Sequence, residues 1–219
     1  MGRCSRRNVD IRKVLMRSAF LVFIAVLVAL FALSPVSGLS IREANLSEMV
    51  ASADRVFYGQ CLSAETGTEP STGLQVRFYR FRVLDGLKGV GPGETLIVRQ
   101  VAGAAGGPLS VPGMVQYQKG QRVLLFLHKD SRLGLTSPVG MNQGLFRAKR
   151  RGDGGLGFVN AVNNKNLTHN LSASAASEMG VDPDEMQRLR SGEPLRLNVL
   201  RELVSKIDRY QREKGYSIR

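Results

Sequence analysis

The stretch "LQVRFYRFRVLD", residues 74–85, decides how the rest of the chain is read. Tyr79, Phe81 and Val83 alternate there with Arg80 and Arg82. A period of two places the apolar side chains on one face of a strand and the cations on the other. Working outward, "ADRVFYGQCL" (53–62) predicts a strand before it, and "TLIVRQV" (95–101) one after it. The glycine-rich "GLKGVGPGE" (86–94) supplies the turn between the last two. In "GQRVLLFLH" (120–128) the apolar run from Val123 to Leu127 is unbroken, which predicts a strand buried on both faces. "RLGLTSP" (132–138), "QGLFRAKR" (143–150) and "LGFVNAV" (156–162) bring the set to about seven short strands. "RGDGG" (151–155) is the turn of the last hairpin, and "SAETGTEPSTG" (63–73) and "AGAAGGPLSVPGM" (102–114) are loops. Many short strands with glycine-rich turns predict an antiparallel sandwich or small barrel.

Two helices flank this series and a third closes the chain. In "EANLSEMVASAD" (43–54), Asn45 and Glu48 have the spacing of a capping box, and Leu46, Met49, Val50 and Ala53 form one apolar stripe. "NKNLTHNLSASAASEMG" (164–180) is polar and small, the composition of a linker. Asp182 and Pro183 then open a short helix as N-cap and first helical residue. "NVLRELVSKIDRYQREKG" (198–215) is amphipathic, with Val199, Leu200, Leu203, Ile207 and Tyr210 on its stripe, Glu202 and Lys206 paired, and Gly215 as its stop. The stripe suits either packing on the strands or docking on another chain.

The first residues predict export. Six basic residues and Asp10 precede an apolar run of 15 residues, Ala19–Leu33, which Pro35 ends. A basic region, an apolar region and small residues at the exit make a signal peptide, 1–38, cut after Gly38. The alternative is an uncleaved anchor, which is the one membrane contact expected. The chain carries 31 basic and 18 acidic residues. Without the segment's six and one, 25 and 17 remain, a net charge of +8 that favours an anionic partner without specifying it. Cys4 leaves with the segment, so Cys61 has no internal disulfide partner. Alternation puts Phe57, Gly59 and Cys61 on one face, where the thiol acts as a small buried apolar group; an intermolecular disulfide is the rival.

Catalytic and metal-binding patterns do not emerge. His128, His169 and Cys61 lie far apart, without the spacing of a zinc site. The chain has neither a GxSxG nor an SxxK nucleophile motif, and its glycine-rich loops lack the GK[ST] of a phosphate cradle. No catalytic residue, cofactor or metal is therefore expected. "RGD" at 151–153 reads as a turn, and "RAKRR" (147–151) as a solvated strand end. Asn45, Asn166 and Asn170 match the glycosylation pattern, although Asn45 already has a capping role.

The order of features carries a resemblance. "ASADRVFYGQC", "YRFRVLDGLKG", the "VRQ" strand, "GQRVLLFL" and "VGMNQGLFRA" succeed one another over roughly residues 44–150. This resembles a class of uncharacterised exported bacterial proteins and is similar in layout to the netrin-like domain of tissue inhibitors of metalloproteinases. The resemblance implies a mainly β fold, a small antiparallel OB-like Greek-key barrel with a short N-terminal helix and an amphipathic C-terminal helix. That family's inhibitory Cys-x-Cys at the mature N-terminus has no counterpart in Leu39-Ser40-Ile41, and Cys61 matches none of its zinc-binding positions. The resulting expectation is a signal peptide (1–38), a barrel domain (39–165), a linker with a short helix (166–192) and a C-terminal helix (193–219). The expected function is a non-enzymatic periplasmic or extracellular binding protein whose partner is a protein or an anionic envelope component. Its contacts would come from loops 64–73 and 102–113. The alternatives are a metalloprotease inhibitor and a basic polyanion-binding module using Arg77, Arg80 and Arg82. Nucleic acid ranks last among partners, because an exported protein rarely meets it.

Overall fold

The computed structural model describes residues 42–102 and 114–215. The expected signal peptide and most of the 102–114 loop lie outside the described residues. Helix α1, Leu46–Ser52, starts at the expected capping box: Asn45 Oδ1 accepts from Glu48 N at 2.9 Å, and Asn45 N donates to Glu48 Oε2 at 3.0 Å. Six strands follow, β1 Arg55–Thr68, β2 Gln75–Lys88, β3 Thr95–Val101, β4 Arg122–Leu127, β5 Leu145–Arg150 and β6 Leu156–Val159. They form one antiparallel sheet in the order β3-β2-β1-β4-β5-β6. The first four occupy the spatial order 4-1-2-3 of a Greek key.

Two expectations change here. Residues 63–68 belong to β1 rather than to a loop, since Ser63 to Thr68 pair with Arg80 to Gln75. The turn proper is the short tip 69–74, where Glu69 N donates to Leu74 O at 2.8 Å. Residues 132–138 do not form a strand. Ser131 Oγ accepts from Leu135 N at 3.1 Å and Gly134 takes a φ of +70°, so the backbone turns. Thr136 N then reaches across to Arg99 O at 2.9 Å, tying the exit of β4 to β3.

β4 is buried on both faces, as its unbroken apolar run predicts. Val123, Leu125 and Leu127 join Phe57, Cys61, Tyr79, Phe81, Val98 and Tyr117 in an inner core. Leu124 and Phe126 face the other way, into a second core with Val56, Phe146, Phe158 and the helices. Tyr79 and Tyr117 meet edge to face at 4.8 Å, and Phe81 and Tyr117 at 5.1 Å, an arrangement that aligns ring edges with ring faces.

Helices α2 (Ala173–Glu178), α3 (Pro183–Ser191) and α4 (Leu197–Glu213) share the second core with Leu124 and Phe126 of β4 and Phe158 of β6, and α4 packs against the end of β2. Asp182 caps α3 with Pro183 at its start, as expected. Leu200, Leu203, Val204 and Ile207 of α4 are buried, so its stripe packs on its own chain. Lys88 Nζ fixes the helix to the sheet, bonding Asp208 at 3.0 Å and Val50 O at 2.6 Å. The 166–192 stretch is not a linker. Leu167, Ala176, Met179, Val181, Met186 and Leu189 are all buried in the second core. These six apolar residues are widely spaced among polar ones, yet each of the six is inserted. Residues 193–196 then strap the edge of β6, where a Cβ on Gly157 would meet Pro194 Cβ at 2.6 Å. Only glycine permits that approach.

A buried amide network closes this side. Gln143 Oε1 accepts from Ala44 N and from Asn166 Nδ2, each at 2.9 Å, and Gln143 Nε2 donates to Arg42 O at 2.9 Å. Asn160 Nδ2 donates to Asn166 Oδ1 at 2.8 Å, and Asn164 Nδ2 to Phe158 O at 2.9 Å and Glu193 O at 3.0 Å. These amides satisfy one another and the backbone ends that meet there.

Candidate functional site: a basic and apolar sheet face

The helices cover only part of the outer face. Its remainder is built by the middle of β1 and of β2, by β3 and by the first residue of β4. Directly paired residues share a face, so the register sets two rows across it. One runs Thr95, Arg82, Gln60, Arg122 from β3 to β4, and the next runs Ile97, Arg80, Ser63. Arg80, Arg82 and Arg122 are exposed, and among the described residues none has an acidic partner. Arg99, by contrast, is held by Glu69 at 3.4 Å. Between the cations stand three apolar side chains, Leu62, Leu84 and Ile97, at 36, 38 and 39% exposure. Leu62 and Leu84 sit at register shifts, between Cys61 and Ser63 and opposite the Tyr58–Gly59 step. Such irregularities re-aim side chains that a regular strand would place differently. The arrangement offers unpaired guanidinium groups beside desolvation-ready apolar surface.

The sequence-selected residues separate into two sets. Arg80 and Arg82 stand on this face, but Arg77 pairs with Gln100 and turns to the opposite one. The aromatics next to the arginines in sequence, Tyr79 and Phe81, point into the inner core. Phe78, which pairs with Arg99 and Glu65 in the next row, lies on the same face as Arg80 and is half-buried. Cys61 is fully buried with Sγ 3.3 Å from Ser63 O, and burial raises its pKa, so it sits as a protonated, small apolar group. Sequence reasoning missed Arg122, Gln60, Leu62, Leu84 and Ile97. Arg122 was visible only as the first residue of an apolar run, and cross-strand register leaves no local mark.

Other candidates are accounted for by their surroundings. Among the described residues no group of three or more His, Cys, Asp or Glu could hold a metal ion, and no helix is long and apolar enough to cross a membrane. His169 lies beside Glu43 at 3.3 Å, and His128 follows β4 directly, its N donating to Ser137 O at 3.1 Å. Asn166 Nδ2 donates to Ala44 O at 2.6 Å within the buried network, and Asn45 Nδ2 to His169 O at 2.8 Å. A glycan on either would break the packing, while Asn170 is exposed.

The Asp153 carboxylate of "RGD" is engaged within the chain. Arg196 donates to it at 2.6 Å, Gly155 N at 3.0 Å and Arg151 Nε at 3.4 Å. These donors, Arg196 foremost, lower its pKa to about 2. A depressed folded pKa contributes stability above the unfolded value, and this is lost as pH falls through the folded one. The tie between the β5–β6 hairpin and residue 196 is therefore expected to hold at neutral pH and loosen only as pH falls from about 4 toward 2. Carboxyl NMR titration checks this: in Arg196→Ala the Asp153 transition moves up, and an unmoved transition removes the ion pair as its cause.

The fold and site together define a mainly β protein, one six-stranded antiparallel sheet with a C-terminal helix and a basic, partly apolar outer face. No protein-family model, curated protein or solved structure matches the chain.

Proposed function

We propose that the protein is an exported, non-enzymatic binding module that holds an acidic protein partner on the outer face of β1, β2 and β3. The observation that carries it is the placement of Arg80, Arg82 and Arg122, exposed and without acidic partners among the described residues, in cross-strand rows that include Ile97, with Leu62 and Leu84 at the adjoining register shifts. Cations alone fit any polyanion. Apolar side chains between them favour a protein, whose interface core is apolar and whose charged groups orient it. Export rests on the basic and apolar opening of the sequence, residues 1–38. An OB-type barrel is the architecture we assign to the sheet. Its support is the Greek-key order, the two-sided burial of β4 and the Thr136–Arg99 bond linking the exit of β4 to β3.

The test uses the secreted protein carrying a photo-crosslinker at Leu62, in cells of the native host. The expected product joins it to an acidic protein identified by mass spectrometry. The double charge reversal Arg80→Glu, Arg82→Glu lowers its yield by at least about tenfold, the equivalent of 1.4 kcal/mol. A yield insensitive to charge reversal overturns the proposal. A product with polysaccharide or nucleic acid instead of protein, weakening steeply with salt, assigns the face to a polyanion.

A further inference from the structure

The two edges of the sheet are treated differently. Beyond β6, Leu195 exchanges both backbone hydrogen bonds with Phe158, at 2.8 and 3.1 Å, so the chain caps that edge itself. Beyond β3, the backbone bond found among the described residues is the one from Thr136 N to Arg99 O at 2.9 Å. Alternate residues of an antiparallel edge strand turn their N–H and C=O groups outward. Val83 N donates to Glu94 O and Ala102 N to Gln75 O, so the even-numbered residues face β2. Thr95, Ile97 and Arg99 therefore face away, and Thr136 occupies only the last of them. Residues 95–98, Thr-Leu-Ile-Val, contain no charge or proline, which are devices that discourage strand addition.

We infer that residues 95–98 of β3, which pair with β2 alone among the described residues, receive an extended acidic segment of the partner as an added strand. The inference rests on the acidic-partner reading above and gives it a binding mode. The partner's main chain bonds to Thr95 and Ile97, and its alternate side chains fall on the outer face in line with Arg82 and Arg80. The added strand lies about 4.8 Å from β3 and roughly 10 Å from β2, within reach of an extended arginine. A second copy of this chain fits poorly, because edge-to-edge pairing would set the same cations against each other. Acidic side chains supply the complementary charge.

The probe is a blocked peptide of alternating glutamate and valine, added to the isotope-labelled protein. Binding is expected to slow amide exchange at Thr95 and Ile97 by at least about tenfold, as formation of new hydrogen bonds requires. The same peptide N-methylated at alternate residues keeps its charge but should bind at least about tenfold more weakly. Binding that needs Arg80 and Arg82 but leaves the Ile97 amide exchanging as before overturns the strand addition and leaves the acidic face standing. Binding equal for the methylated peptide does the same. No measurable binding, or binding unchanged by Arg80→Glu with Arg82→Glu, overturns the acidic-face reading and the added strand with it.

Discussion

Phe126→Ala is expected to lower the unfolding free energy by about 3–5 kcal/mol, the usual cost of emptying a buried aromatic site. Phe126 is fully buried and packs at 5.5 Å from the Phe146 ring, under the helices. That loss is a large part of the 5–15 kcal/mol that holds a typical domain together. Its further consequence comes from the position of β4. The same six-residue strand supplies Leu125 to the inner core and Phe126 to the helical one. A strand shared by two cores couples their unfolding. Urea titration in a Tyr58→Phe, Tyr210→Phe background measures this, followed by far-ultraviolet circular dichroism, which sees the helices, and by the near-ultraviolet tyrosine signal, which then reports mainly on Tyr79 and Tyr117 of the inner core. Both midpoints should fall together, with the slope unchanged. A helical signal lost well before the tyrosine signal would show two independent cores.

β4 also shows why part of the fold was legible. An unbroken apolar run of strand length has no other stable placement than between two layers, and the structure puts it there. The alternation of Tyr79, Phe81 and Val83 with Arg80 and Arg82 was equally direct, because each residue's face follows from its own parity. The capping residues Asn45 and Asp182 act on backbone groups only three residues away, and local signals of that kind survive into the structure. What failed depends on distant partners. Residues 63–68 are polar because their hairpin is exposed, and only their pairing with 75–80 makes them a strand. Leu167 looks like a lone leucine in a polar tract, yet its carbonyl accepts from Leu46 N at 3.0 Å and its side chain is fully buried. The candidate site divides the same way. Arg80 and Arg82 were visible by alternation, whereas the register joining Arg82 through Gln60 to Arg122 was not. An arginine's face can be read along its strand, but its neighbours across the sheet cannot.

The amide network is the strongest case of such hidden pairing, and Gln143→Leu should expose it with a loss of about 2–5 kcal/mol. The substitution keeps the volume and removes three hydrogen bonds. Ala44 N loses its acceptor, Arg42 O its donor, and Asn166 Nδ2 one of its two acceptors besides Asn160's claim on Asn166 Oδ1. Each buried polar group left unpaired costs about 1–3 kcal/mol, more than the bond itself contributes when made. An apolar side chain therefore destabilises a site where it would otherwise be welcome. The loss should also be local in its first effect. Gln143 joins residues 42–44 to a segment 99 positions later, so the Ala44 amide, protected at 2.9 Å in the native chain, should exchange faster before α4 does. Asn142→Leu is the matched control, since Asn142 is exposed beside it and should change stability by less than about 0.5 kcal/mol. Equal midpoints for the two variants would mean that the network is bonded in the folded state without stabilising it. A loss confined to Gln143→Leu would establish that the asparagine-rich stretch after β6 is held as core rather than tolerated as a connection.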